Sequence, residues 1–192
     1  MKLSVRQQAN RIRKWYNKAS VQQVIAGMQW YSEAHSLAGE LSNKYGTTIL
    51  QAAQIISILS PQKKWEMNKR EARAMFNEFF NGIAYEYGYY ATKRTLKECG
   101  AILKGEWLIP SKRAKTYSFA DNIAHTDSTE ITIDRHALRV AYDDTSARID
   151  KVGINDYKYA RQAYQQVADS LGIKGYQLQA ITWVTYKHYV NR

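Results

Sequence analysis

The stretch ILQAAQIISIL, residues 49–59, decides the fold. Leu50, Ala52, Ala53, Ile55, Ile56, Ile58 and Leu59 leave almost no polar face. A segment apolar nearly all round, and too long for an ordinary strand, reads as a helix at the centre of a core. Thr47-Thr48 opens it, and Ser60-Pro61 closes it, because the residue before proline is pushed out of the helical region.

The segments on either side follow the helical period. Upstream, Val24, Ile25, Met28, Tyr31, Ala34, Leu37, Ala38 and Leu41 predict a helix over 21–44, stopped at Tyr45-Gly46. Before it, Val5, Ala9, Ile12, Trp15 and Tyr16 line one side of a basic helix over 4–18. Residues 1–20 hold Lys2, Arg6, Arg11, Arg13, Lys14 and Lys18 and no acid, which suits a solvated face or an arm turned toward phosphates. Downstream, helices are predicted over 66–81, 91–104 and 111–124. An aromatic, glycine-interrupted loop is expected at 85–90. A short β-like stretch at 131–133 leads into a helix from Asp134 to about Tyr142. Helices over 155–171 and 177–190 close the chain, for eight or nine in all: an all-α fold.

The chain has 192 residues, enough to bury its own core without a staple. A single cysteine, Cys99, excludes an internal disulfide and a four-cysteine metal or iron–sulfur site. No apolar run reaches membrane-spanning length, and the expected compartment is the cytoplasm. Lys and Arg number 28 against 17 Asp and Glu, a net charge of +11, and such a balance favours a polyanionic partner, nucleic acid first. The four histidines show no ligand spacing, and Asp121, Asp127, Asp143 and Asp144 read as loop acids, so neither a metal nor an organic cofactor is expected.

Chemistry concentrates between Leu108 and Arg139. Pro110 is followed by Ser111-Lys112-Arg113-Ala114-Lys115, a lysine-rich helix start. Nineteen residues beyond Lys115, Asp134 stands where β-branched residues hand over to a helical pattern, a helix-capping position. Taken alone, these are a cap and an ordinary basic helix.

Three segments, in order, resemble the helix-hairpin-helix DNA glycosylases of the endonuclease III type. Leu59-Ser60-Pro61-Gln62, with Asn68-Lys69 further on, is similar to the family's L-S-x-Q…N-K segment. Residues 109–116 are similar to L-P-G-V-G-x-K-T, with a lysine five residues after the proline in both. Residues 133–140 are similar to V-D-x-H-x-x-R-V through Asp134, His136, Arg139 and Val140. The matches run from Ile55 to Val140, under half of the chain. The chain also resembles small phage proteins with L-S-P-Q and I-D-R-H segments.

The resemblance implies a fold of two small helical lobes, about 1–46 with 106–192 and about 47–105, with a DNA groove between them. It implies a DNA N-glycosylase, with abasic-site lyase activity in its bifunctional form. Lys115 then falls on the lysine that attacks the sugar C1′, and Asp134 on the aspartate that steadies the cationic sugar. Gln62 falls on the residue that fills the gap left by a flipped base, with His136 and Arg139 in support. Lys63, Lys64, Lys112, Arg113 and Arg135 become candidate phosphate contacts, and Trp30, Trp65 and Tyr117 candidate stacking partners for the base. Ser111 and Arg113 stand where the family hairpin has glycines. That departure suits a second expectation, a non-catalytic DNA-binding protein on the same fold. A third is a phage protein whose basic face meets a host protein.

Overall fold

In the central helix of the chain, every residue from Ala52 to Leu59 is buried. The computed structural model describes residues 3–82 and 91–190, and the expected loop at 85–90 lies outside them. Nine helices make up the described residues: α1 (Val5–Asn17), α2 (Val21–Tyr45), α3 (Ile49–Leu59), α4 (Trp65–Asn81), α5 (Lys93–Leu103), α6 (Ala114–Ala124), α7 (Arg135–Tyr142), α8 (Ile154–Leu171) and α9 (Gly175–Val190). The chain is all-α. It clusters into two units, one of Met1–Ser32 with Thr129–Arg192, the other of Glu33–Ser128.

The Glu33–Ser128 unit is built on α3, which packs against α4, α5 and α6. Thr48 caps α3, its hydroxyl accepting from the Gln51 amide while the Gln51 side chain returns to the Thr48 N–H. Two of the polar side chains of this apolar helix, Gln51 and Ser57, bond neighbouring backbone. Gln51 donates to the Ile102 carbonyl at 2.8 Å, and the Ser57 hydroxyl to that of Thr116 at 2.7 Å. Asn68 of α4 returns a bond to the Ile56 carbonyl at 3.0 Å. Each bond satisfies a group whose burial would otherwise cost about 1–3 kcal/mol. Residues 106–128, which the resemblance groups with the chain ends, cluster in this unit, where α6 packs against α3.

The other unit packs α1, α7, α8 and α9 around Ile12, Trp15, Ile133, Leu138, Tyr164 and Tyr186. The basic helix α1 is therefore a core element and not a free arm. Trp15 is buried and its indole N–H donates to Asp143 at 2.8 Å, while Arg11 donates to the Tyr142 carbonyl and Lys14 pairs with Asp143. At Gly27 the backbone of α2 comes so close to α9 that an added Cβ would stand 2.4 Å from the Ile181 Cα.

Two local expectations need correction. Residues 131–133 form no strand. The Tyr157 hydroxyl donates to the Ile131 carbonyl at 3.0 Å and accepts from the Ile133 N–H at 3.5 Å, so a side chain takes the place of a partner strand. The basic helix begins at Ala114 instead of residue 111, because Ser111–Arg113 is taken up in a turn in which the Arg113 N–H donates to the Pro110 carbonyl at 2.9 Å.

Candidate nucleic-acid interface

Asp134, Arg135, His136, Arg139 and Trp30 lie in the unit formed by the chain ends. The stretch before Asp134 is held by the side chains around it. Ile131 and Ile133 are buried, and the Tyr31 hydroxyl bonds Thr132 and Gln179, each at 3.2 Å. Asp134 then caps α7, its Oδ1 accepting from the Ala137 N–H at 2.7 Å. The carboxylate is half-buried and only one of its oxygens is committed to that bond. Its charge acts on the buried hydroxyls of Tyr31 and Tyr164, adding to the desolvation that holds both phenols neutral.

His136 is the second residue of α7, and its Nδ1 is buried with no hydrogen-bond partner among the described residues. Burial holds the imidazole below its ordinary value, partly offset by the Asp134 charge. The unfolded chain takes up the proton near the ordinary 6.5, whereas the folded protein resists it. Stability should therefore fall as the pH drops through 6.5, and level off once the pH lies below the folded value. Melting temperatures between pH 7.5 and 5 should show this slope in the wild type and a shallower one in His136→Phe. Equal slopes would contradict it.

Arg139 does not reach toward Asp134. Its guanidinium, nearly buried, donates to the Ile149 carbonyl at 2.8 Å and the Ala147 carbonyl at 2.9 Å, and pairs with Asp150 at 3.1 Å. From within the same loop, buried Asp144 accepts the N–H groups of Ser146 and Ile149. Arg139 thus shapes the loop after α7. Arg135 is exposed. Trp30 is half-buried, edge-on to Tyr31 and 6.1 Å from the Trp183 ring, over which Lys187 sits at 4.5 Å.

The remaining candidates belong to the Glu33–Ser128 unit. Ser60, Pro61, Gln62 and Lys63 form a turn, with the Lys63 N–H on the Ser60 carbonyl at 3.2 Å. Gln62 is exposed at its tip with φ 62°, in the left-handed region that glycine fills more readily. Lys63 does not face solvent. Its side chain is 9% exposed, and the ammonium pairs with Glu71, whose side chain is 1% exposed. That buried pair ties the turn to α4. Lys64, next in the chain, is exposed. Trp65 is half-buried, with the Lys69 ammonium 5.9 Å over its ring.

In the second segment, Arg113 is held by Glu98 through two hydrogen bonds of 2.8 and 2.6 Å and lies 5.3 Å over the Trp107 ring. The same pairing draws the Glu98 carboxyl below the usual carboxylate range. Lys112 and Lys115 are exposed and make no ion pair among the described residues; Tyr117 is half-buried on α6. Burial pushes the Cys99 thiol up to about 12, so it is not a nucleophile at neutral pH.

Sequence reasoning missed Glu71 and Glu98, the partners of Lys63 and Arg113. Glu71 had a signal, since it falls in register with Asn68, Ala72 and Met75 on the inward face of α4. Glu98 had none, because nothing in a separation of 15 residues marks a contact. No three His, Cys, Asp or Glu side chains among the described residues come together as a metal site, and no helix among them is long and apolar enough to cross a membrane.

Fold and charged segments together define an all-α protein of two helical units, with exposed lysines at one helix start and a capping carboxylate at another. A family model described as a family of unknown function, DUF7178, matches residues 1–189, and the chain belongs to that family. No curated protein and no solved structure matches the chain.

Proposed function

We propose that the protein is a DNA-binding base-excision enzyme, a DNA N-glycosylase with abasic-site lyase activity. Asp134 is the carboxylate and Lys115 the amine of this reading. The observation that carries it is the state of Asp134: the N-terminus of α7 fixes one carboxylate oxygen at 2.7 Å and leaves the other uncommitted. Breaking an N-glycosidic bond builds positive charge on the sugar, and a carboxylate already fixed in place stabilises that charge without reorganising. The exposed Lys115 amine forms the new bond to C1′ as the C1′–N bond breaks, and the base leaves with the bonding electrons and takes up a proton. Ring opening gives a protonated Schiff base. Loss of the C2′ proton and of the 3′-phosphate then cuts the strand. The net charge of +11 supports a DNA substrate, and Gln62 at the tip of its turn suits a side chain that enters the stack when a base is flipped.

The reading is tested by base release and strand cleavage on duplexes carrying a damaged base or an abasic site. Lys115→Ala should lose cleavage at least 100-fold and keep its affinity for the same duplex within about threefold, since one phosphate contact at most is lost. Cleavage undiminished in Lys115→Ala would remove the lysine from the mechanism. One observation favours a second reading, a DNA-binding protein without catalysis. The capping bond of Asp134 gives that residue a sufficient structural task, and in this case the wild type binds duplex DNA and releases no base.

A further inference from the structure

The inward face of α4 carries Asn68, Glu71, Ala72, Met75 and Phe76, all buried. Its outward face therefore falls at Glu66, Lys69, Arg70 and Arg73, one and two turns apart. With Lys64 and Met67 these residues line an open groove of about 550 Å³. Four cations and one acid line it. The charges are not equally committed. Arg73 is held by Glu40 at 2.8 Å and Lys69 by Glu66 at 2.7 Å. Among the described residues, the Arg70 guanidinium meets the Met67 sulfur, at 2.9 Å, and neither it nor Lys64 has an ion pair. Arg73 also lines the next depression, about 280 Å³, beside Lys44, Tyr45 and Asn77, so the two grooves meet at one guanidinium. From Lys64 to Arg73 the helix rises about 14 Å, the length along the axis of roughly four phosphates of one duplex strand.

We propose that the outward face of α4, from Lys64 to Arg73, is a track for one sugar–phosphate strand of DNA, with Lys64 and Arg70 as its contact cations. The surplus of positive charge along an open groove is what selects a polyanion here. Glu40 and Glu66 pair with Arg73 and Lys69, which leaves Lys64 and Arg70 as the cations of this face without an ion pair among the described residues. The buried Lys63–Glu71 pair fixes where the track begins, at the turn that presents Gln62. The proposal deepens the DNA-binding part of the function proposed above and rests on it, but it needs no catalysis.

The test is duplex DNA binding by the full chain across a salt series, without a lesion in the duplex. Lys64→Glu/Arg70→Glu should weaken binding roughly 30-fold near 0.15 M salt and lower the salt slope by about two. The control is Lys151→Glu/Lys158→Glu, two exposed lysines in the other unit with the same change in net charge. It should cost less than about threefold and leave the slope in place. Thermal melting checks that both variants fold. Equal losses in the two variants would reduce the effect to net charge and overturn the track. So would an unchanged slope, or a wild type that does not bind DNA. Polyglutamate binding as tightly as DNA and lost in the same variant would assign the face to an acidic protein instead. If Lys64→Glu/Arg70→Glu weakens binding but the wild type releases no base, the track stands and the enzyme reading falls.

Discussion

Asp134→Asn should release base at least 100-fold more slowly than the wild type while melting within about 2 °C of it. The substitution separates the two tasks the carboxylate performs. As a cap it accepts one hydrogen bond from the Ala137 N–H, and asparagine caps a helix about as well as aspartate. As a catalyst it must carry a negative charge beside a developing cation, and asparagine cannot. Losing one fixed electrostatic partner of a transition state typically costs a factor of about 100 to 1,000. Asp134→Ala removes both tasks and should add roughly 1 kcal/mol of destabilisation. A wild type that releases base, with Asp134→Asn releasing it equally fast, would leave Asp134 as a cap alone.

The second large effect is on the fold. Gly27→Ala should destabilise the protein by about 3 kcal/mol, near 6–12 °C in melting temperature for a chain of this size. Alanine is the better helix former by about 1 kcal/mol, so helix propensity predicts the opposite sign. Packing overrides it. The added methyl would lie 2.4 Å from the Ile181 Cα and 2.6 Å from its nitrogen, and backbone atoms of a helix cannot move aside singly. Either α2 or α9 must shift as a body. An unchanged or raised melting temperature would mean that the two helices do not cross at that distance.

Much of the fold was legible because its signals are local. The bounds of α3 follow from Thr48 and Pro61, and those of α8 from its apolar period and Gly172. The capping place of Asp134 was legible for the same reason. What escaped depends on contacts distant in sequence. The Tyr157 hydroxyl satisfies residues 131–133 from 24 and 26 positions away and keeps a β-like stretch out of any sheet. Gly27 reads as a mere weakness in a helix until α9 is placed against it. Lys63 and Arg113 read as free cations, and only folding brings Glu71 and Glu98 to them. Lys64, Lys112 and Lys115, by contrast, are exposed and make no ion pair among the described residues.

Borohydride trapping addresses base excision most directly. Wild-type protein, Lys115→Ala and Asp134→Asn would be incubated with duplexes carrying an abasic site, uracil, thymine glycol or 8-oxoguanine, and with an undamaged duplex, then reduced. A covalent protein–DNA adduct is expected with the wild type on the abasic-site duplex and on at least one lesion. No adduct is expected with Lys115→Ala, nor with the wild type on undamaged DNA. Absence of any adduct, together with no base release and no strand cleavage despite tight, salt-dependent binding, would contradict the enzyme and leave a DNA-binding protein.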